Sequence, residues 1–145
     1  MQRALVIDPN AAQIAGLTAV VVLGTGGTIA GTAASASDNI GYRAAQIGVA
    51  ELLAGHDSHA RLETEQIAQL DSKDMDFEVW RRLAERVAHH LDRTEVAGIV
   101  ITHGTDTLEE TAYFLHRVFS PARPVVLTGA MRPASSLQAD GPQNL

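Results

Sequence analysis

Three runs of apolar, largely β-branched residues constrain this chain most: Ala19–Leu23 (AVVVL), Val96–Ile101 (VAGIVI) and Pro124–Leu127 (PVVL). Their apolarity is continuous instead of alternating, which is the pattern of strands covered on both faces, as in a parallel sheet. Ala60–Leu70 is a weaker strand candidate, because only part of it is apolar. Between the runs the period changes. Trp80, Leu83, Ala84, Val87 and Leu91 share one helical face, and Arg81, Arg82, Glu85 and Arg86 share the other. Thr107–Phe119 reads as a second helix, with Thr107 and Glu110 spaced as a capping box. A shorter helix is predicted over Gln46–Ala54, stopped by Gly55. The small, polar stretch Ala30–Gly41 reads as a mobile loop. There is no internal repeat and no interdomain linker, and 145 residues make about one domain. The alternation implies an α/β class: an open, mostly parallel sheet with flanking helices.

In such sheets ligands bind beyond the carboxyl ends of the strands. The segments that follow the four strand candidates are Gly24-Thr25-Gly26-Gly27-Thr28, Asp71-Ser72-Lys73-Asp74, Thr102-His103-Gly104-Thr105-Asp106 and Thr128-Gly129-Ala130-Met131-Arg132. All four should meet at one edge, and all four are rich in small hydroxyls and glycine. That predicted convergence marks the place to look for chemistry.

Composition narrows the chemistry. Eleven basic against 17 acidic residues, with six aromatics, leave no basic, aromatic-studded face for nucleic acid or an anionic membrane. With no cysteine, disulfides, thiolate metal sites and a cysteine nucleophile are excluded. No apolar run reaches the length of a membrane span, and no signal-peptide pattern opens the chain. A cytoplasmic location is the expectation, or a periplasmic one if a leader was removed. Ten of the eleven basic residues are arginine; the only lysine is Lys73. A dinucleotide fingerprint needs a third glycine where Ile29 stands, and the Gly-Lys-Ser/Thr ending of a phosphate loop is missing. The glycines instead suit close backbone approach to a substrate, with neighbouring N–H groups open to an oxyanion. Thr25, Thr28, Thr105 and Thr107 offer hydroxyls that become nucleophilic only beside a proton acceptor. Each could equally cap a turn or helix, the reading preferred for Thr107. Asp106 could hold an ammonium group. His56-x-x-His59 lacks clustered carboxylates and reads as surface, so no metal is expected. Arg132 suits an ordinary surface ion pair, and Glu109 and Glu110 suit a first helical turn.

Four segments in order carry a resemblance: Thr25-Gly-Gly-Thr-Ile-Ala-Gly31, Asp71-Ser-Lys-Asp-Met75, Thr102-His-Gly-Thr-Asp-Thr107 and Gly129-Ala-Met-Arg-Pro133, the last running on through Ser135-Ser136-Leu137-Gln138-Ala139-Asp140-Gly141-Pro142. From Ala19 onward the chain resembles the bacterial L-asparaginase / glutaminase-asparaginase family. The resemblance implies a flavodoxin-like N-terminal domain that hydrolyses the side-chain amide of L-asparagine, without cofactor or metal. It implies that Thr28 is the nucleophile and Tyr42 its assistant. Thr105 belongs to a Thr-Lys-Asp set, and Asp106 also holds the substrate's α-ammonium. Ser72 binds the α-carboxylate, and the Ala130 carbonyl lies near the substrate amide. Full-length members are expected to be homo-oligomers acting on a small-molecule substrate.

Two departures qualify it. Lys73 stands where the better-known periplasmic members have glutamine, changing how the amino-acid head is held and leaving activity on L-glutamine open. The lysine of the Thr-Lys-Asp set and the C-terminal domain fall outside residues 1–145, so the chain reads as an incomplete N-terminal asparaginase domain. Two alternatives follow: an inactive or ligand-binding remnant, and an asparaginase-like subunit of a tRNA-dependent amidotransferase. The latter would carry an extra module ahead of the glycine motif, and only 18 residues precede Ala19.

Overall fold

The computed structural model describes residues 19–56, 58 and 60–145. Strand β1 (Ala19–Gly26) lies between β2 (Arg61–Leu70) and β3 (Val96–Thr102), and β4 (Val125–Thr128) pairs with β3. All three pairings are parallel, giving the order β2-β1-β3-β4. Helices α1 (Val49–Leu52), α2 (Phe77–Leu91) and α3 (Leu108–Val118) form the connections, and α4 (Gly141–Asn144) follows β4. This order is that of the flavodoxin-like doubly wound sheet. The chain direction across the sheet reverses between β1 and β3, where a ligand crevice opens in such folds.

One face of the sheet makes the main core. Val21 and Leu23 of β1, Ile67 of β2, and Ile99 and Ile101 of β3 pack against Leu83 and Val87 of α2 and Leu115 of α3. Asp76 caps α2 by accepting the Val79 N–H at 2.9 Å, which fixes where the apolar face of that helix starts. On the other face the cover among the described residues is partial. Val20 and Val100 are only half-buried, and Val126 is 51% exposed. A groove of about 180 Å³ runs along it, lined by Val20, Val22, Leu53, Leu62, Val100 and Leu145. Leu53, just after α1, and Leu145, just after α4, come to it from outside the sheet.

β2 explains its own weak sequence signal. It is an edge strand with one buried residue, Ile67, and it docks on α2 through charge. Glu65 meets His90 at 2.7 Å and Arg86 at 3.0 Å, while Arg93 meets Glu63 at 2.7 Å and Glu95 at 2.8 Å. The predicted helix over Gln46–Ala54 contracts to the single turn of α1. The predicted capping box is not formed. Thr107 precedes α3 without any side-chain cap bond, because its hydroxyl donates to the Ser72 carbonyl at 2.9 Å.

Candidate active site

Strands β1, β2 and β3 each give way to a three-residue 3₁₀ turn: Thr28–Ala30, Ser72–Asp74 and Thr105–Thr107. A candidate residue opens or sits in each turn. Glycine lets these turns meet. Gly27 has φ 80°, and a side chain there would collide with the Gly104 backbone. A side chain on Gly104 would in turn collide with Ser72. The sequence reading assigned the glycines of the Gly24–Thr28 loop to close approach of substrate; at Gly27 the structure shows close approach to another loop. The Gly27 N–H, one of the amides open to an oxyanion on sequence grounds, is bonded to the Leu70 carbonyl at 2.9 Å.

The four threonine hydroxyls separate by what they touch. Thr25 donates to the Thr102 carbonyl at 2.9 Å in the interior, tying β1 to β3, and Thr107 is engaged by Ser72. Thr28 is buried, and its Oγ1 lies 2.8 Å from the Tyr42 hydroxyl. Thr105 is exposed, as is Asp106 beside it. Only Thr28 and Thr105 keep hydroxyls free of structural duty, and only Thr28 has a phenol on it.

Tyr42 reaches Thr28 because its loop is folded back. Thr32 and Arg43 bridge at its base, with backbone bonds of 2.9 and 2.8 Å. Its outer part is stitched to the segment after β4. The Ala33 N–H donates to Ser135 Oγ at 2.8 Å, Ser136 donates to Asn39 at 2.6 Å, and the Leu137 N–H donates to the Ala36 carbonyl at 3.0 Å. The loop that composition reads as mobile therefore has a defined bonded arrangement.

Ser72 is buried, and its Oγ accepts the Asp106 N–H at 3.2 Å, which leaves its own proton available to donate. Ala130 is buried against Ile29 and Ala30. Its segment is framed from α4: Asn144 donates to the Gly129 carbonyl at 2.9 Å, and Asp140 accepts the N–H groups of Met131 and Arg132, each at 2.9 Å. Partial burial works against ionising Asp140, yet these two N–H donors hold its carboxyl below the usual range. Arg132, read as a surface ion pair, instead donates to the Gln138 carbonyl at 2.8 Å.

Lys73 is exposed and bonded to Asp71, with Asp74 3.7 Å away. The hydrogen bond to Asp71 holds its ammonium above the ordinary lysine range, so Lys73 is a cation here and a poor base. Among the described residues no group of three or more His, Cys, Asp or Glu could hold a metal ion. His59 of the His56-x-x-His59 pair lies outside the described residues.

Sequence reasoning missed Asp140, Asn144, Ser135, Ser136 and Asn39 as supports of the site. Asp140, Ser135 and Ser136 stand in the segment that continues the fourth motif, which was the available signal.

The comparisons with known proteins agree with this architecture. The family model described as "Asparaginase, N-terminal" matches residues 19–145. Glutaminase-asparaginase of Pseudomonas fluorescens biotype A is 47% identical over 132 residues, covering 89% of this chain and 36% of its own length. The probable periplasmic L-asparaginase of Haemophilus influenzae is 46% identical over 137 residues, covering 92% of this chain and 38% of its own. The crystal structure of a probable cytoplasmic L-asparaginase from Campylobacter jejuni superposes with a TM-score of 0.82 at 46% identity, covering 88% of this chain and 39% of that one. Fold and site thus define a flavodoxin-like domain with a hydroxyl-bearing strand-end cluster. The chain belongs to the asparaginase family, and it spans less than two fifths of the length of these relatives.

Proposed function

We propose that residues 19–145 form the nucleophile-bearing part of an asparaginase-type amidohydrolase, which converts L-asparagine to L-aspartate and ammonia. The observation that supports this most is the bond of 2.8 Å between the buried Thr28 Oγ1 and the Tyr42 hydroxyl, at the crossover between β1 and β3. In the reaction, Thr28 Oγ1 attacks the carbonyl carbon of the side-chain amide as its proton leaves toward Tyr42. Collapse of the tetrahedral intermediate breaks the carbon–nitrogen bond, and the nitrogen departs as ammonia after taking up a proton. A water molecule then hydrolyses the Thr28 ester, releasing aspartate and restoring the hydroxyl.

Ser72 would donate its free proton to the substrate α-carboxylate, Asp106 would accept from the α-ammonium, and the Ala130 carbonyl would orient the amide nitrogen. Thr105 would act on the water or the leaving group, with a lysine supplied from outside these residues. Lys73 beside Ser72 adds a cation for the α-carboxylate. No cofactor or metal enters this scheme, and homo-oligomerisation belongs to the full-length protein.

Ammonia release from L-asparagine tests the proposal, using the chain completed to the length of its relatives, with Thr28→Ala beside it. Turnover lost in Thr28→Ala supports the assignment. Turnover unchanged in Thr28→Ala sinks it.

A further inference from the structure

His103 is fully buried one residue before Gly104 and two before Thr105, and the scheme above gives it no role. Its Nδ1 lies 2.7 Å from the Gly104 carbonyl oxygen, and its Nε2 lies 2.9 Å from Thr111 Oγ1. Thr111, also fully buried on α3, receives the Trp80 Nε1–H from α2 at 2.8 Å. Both ends of this series have fixed polarity, since an indole N–H only donates and a carbonyl oxygen only accepts. Everything between is then determined. Nδ1 must carry the proton given to Gly104, so Nε2 of a neutral ring must accept, and the Thr111 hydroxyl must donate to it. Burial pushes the His103 pKa down, while the bond to Gly104 and the charge of Glu110 pull the other way.

We infer that Trp80, Thr111 and His103 form a one-way hydrogen-bond relay that sets the peptide plane between Gly104 and Thr105, making His103 a positioning residue for Thr105 and Asp106. The neighbouring peptide groups are pinned by other means. The Thr102 carbonyl accepts from Thr25 at 2.9 Å, the His103 N–H donates to the Thr128 carbonyl at 2.8 Å, and the Asp106 N–H donates to Ser72 at 3.2 Å. The Gly104 carbonyl is held by His103. Gly104 is also where backbone freedom is largest, so its orientation needs a separate restraint. The relay couples the spacing of α2 and α3 to the direction in which Thr105 and Asp106 are presented. Its functional meaning rests on the asparaginase reading above, but its existence does not.

The test therefore reads nuclei in this chain and no turnover. Imidazole nitrogen NMR gives the tautomer, and amide hydrogen exchange gives the order of the turn, in the wild type, Thr111→Ser and Thr111→Val. We expect Nδ1 protonated and Nε2 bare in the wild type and in Thr111→Ser, which keeps the hydroxyl. In Thr111→Val we expect amide exchange at Thr105 and Asp106 to speed up roughly tenfold, with the rest of α3 unchanged. A protonated Nε2 in the wild type overturns the relay, and that measurement stands even if Thr111→Val fails to fold. Unchanged exchange at Thr105 and Asp106 in a folded Thr111→Val overturns it too. So does acceleration spread evenly through α3, which marks a packing defect. Adding L-asparagine to the same samples and following the Thr28 and Ser72 signals tests the functional reading separately.

Discussion

The strand-end cluster has two halves, and they are finished to different degrees. Around Thr28, the proposed nucleophile, the chain buries the side chain, folds a loop over it and brings the Tyr42 hydroxyl to 2.8 Å. Around Thr105 and Asp106 both side chains are exposed, and the only lysine in the sequence is turned to Asp71 and Asp74. Both halves rest on closely packed turns, since Gly27 meets the Gly104 backbone and Gly104 meets the Ser72 side chain. The difference is chemical. A nucleophile can be positioned by local structure, whereas moving its proton needs a partner whose protonation state changes within reach.

Variants should separate the two halves, and activity is best followed in the chain completed to its relatives' length. The largest loss is expected for Thr28→Ala, more than about 10³-fold in kcat, because Thr28 alone of the four threonines has a phenol on its hydroxyl. Steady-state ammonia release reads it. Tyr42→Phe keeps the ring and removes the hydroxyl bonded to Thr28, so a fall of about 10²-fold is expected, mainly in kcat. An equal rise in KM instead would make Tyr42 a simple binding group.

His103 should impose a pH dependence on stability. Its pKa is lowered in the folded state, so its contribution is complete above the unfolded value near 6.5 and is lost as pH falls toward the folded value. Urea unfolding should show stability falling by up to about 1.4 kcal/mol per pH unit below about pH 6.5 from this group. The slope should shrink in His103→Gln. Lys73→Met should do least, changing kcat by less than about twofold, because an ammonium held above its ordinary range is no base.

The sheet was legible where burial wrote it into composition. β1, β3 and β4 follow from their apolar runs, and the placement of the site follows from those strand ends. β2 was faint because an edge strand held by Glu63 and Glu65 against Arg86, His90 and Arg93 needs little apolar character. Long-range partners were invisible to local pattern. The Thr107 hydroxyl serves the Ser72 carbonyl, 35 residues away, in place of a capping box. The Gly27–Gly104 contact and the Trp80–Thr111–His103 series likewise join distant segments. The roles proposed for Thr28 and Tyr42 came from the family motifs; the residues alone left Thr28 indistinguishable from a turn-capping threonine.

The contrast between the two halves is tested most directly by ammonia release from L-asparagine by the 145-residue chain beside the version completed to its relatives' length. Both are measured with and without Thr28→Ala. The account predicts turnover by the shorter chain lower by about 10²–10⁴-fold, the range associated with a lost proton-transfer partner, while the completed version depends on Thr28. Equal turnover by the two, abolished by Thr28→Ala and by Lys73→Met alike, would contradict it and make Lys73 the base.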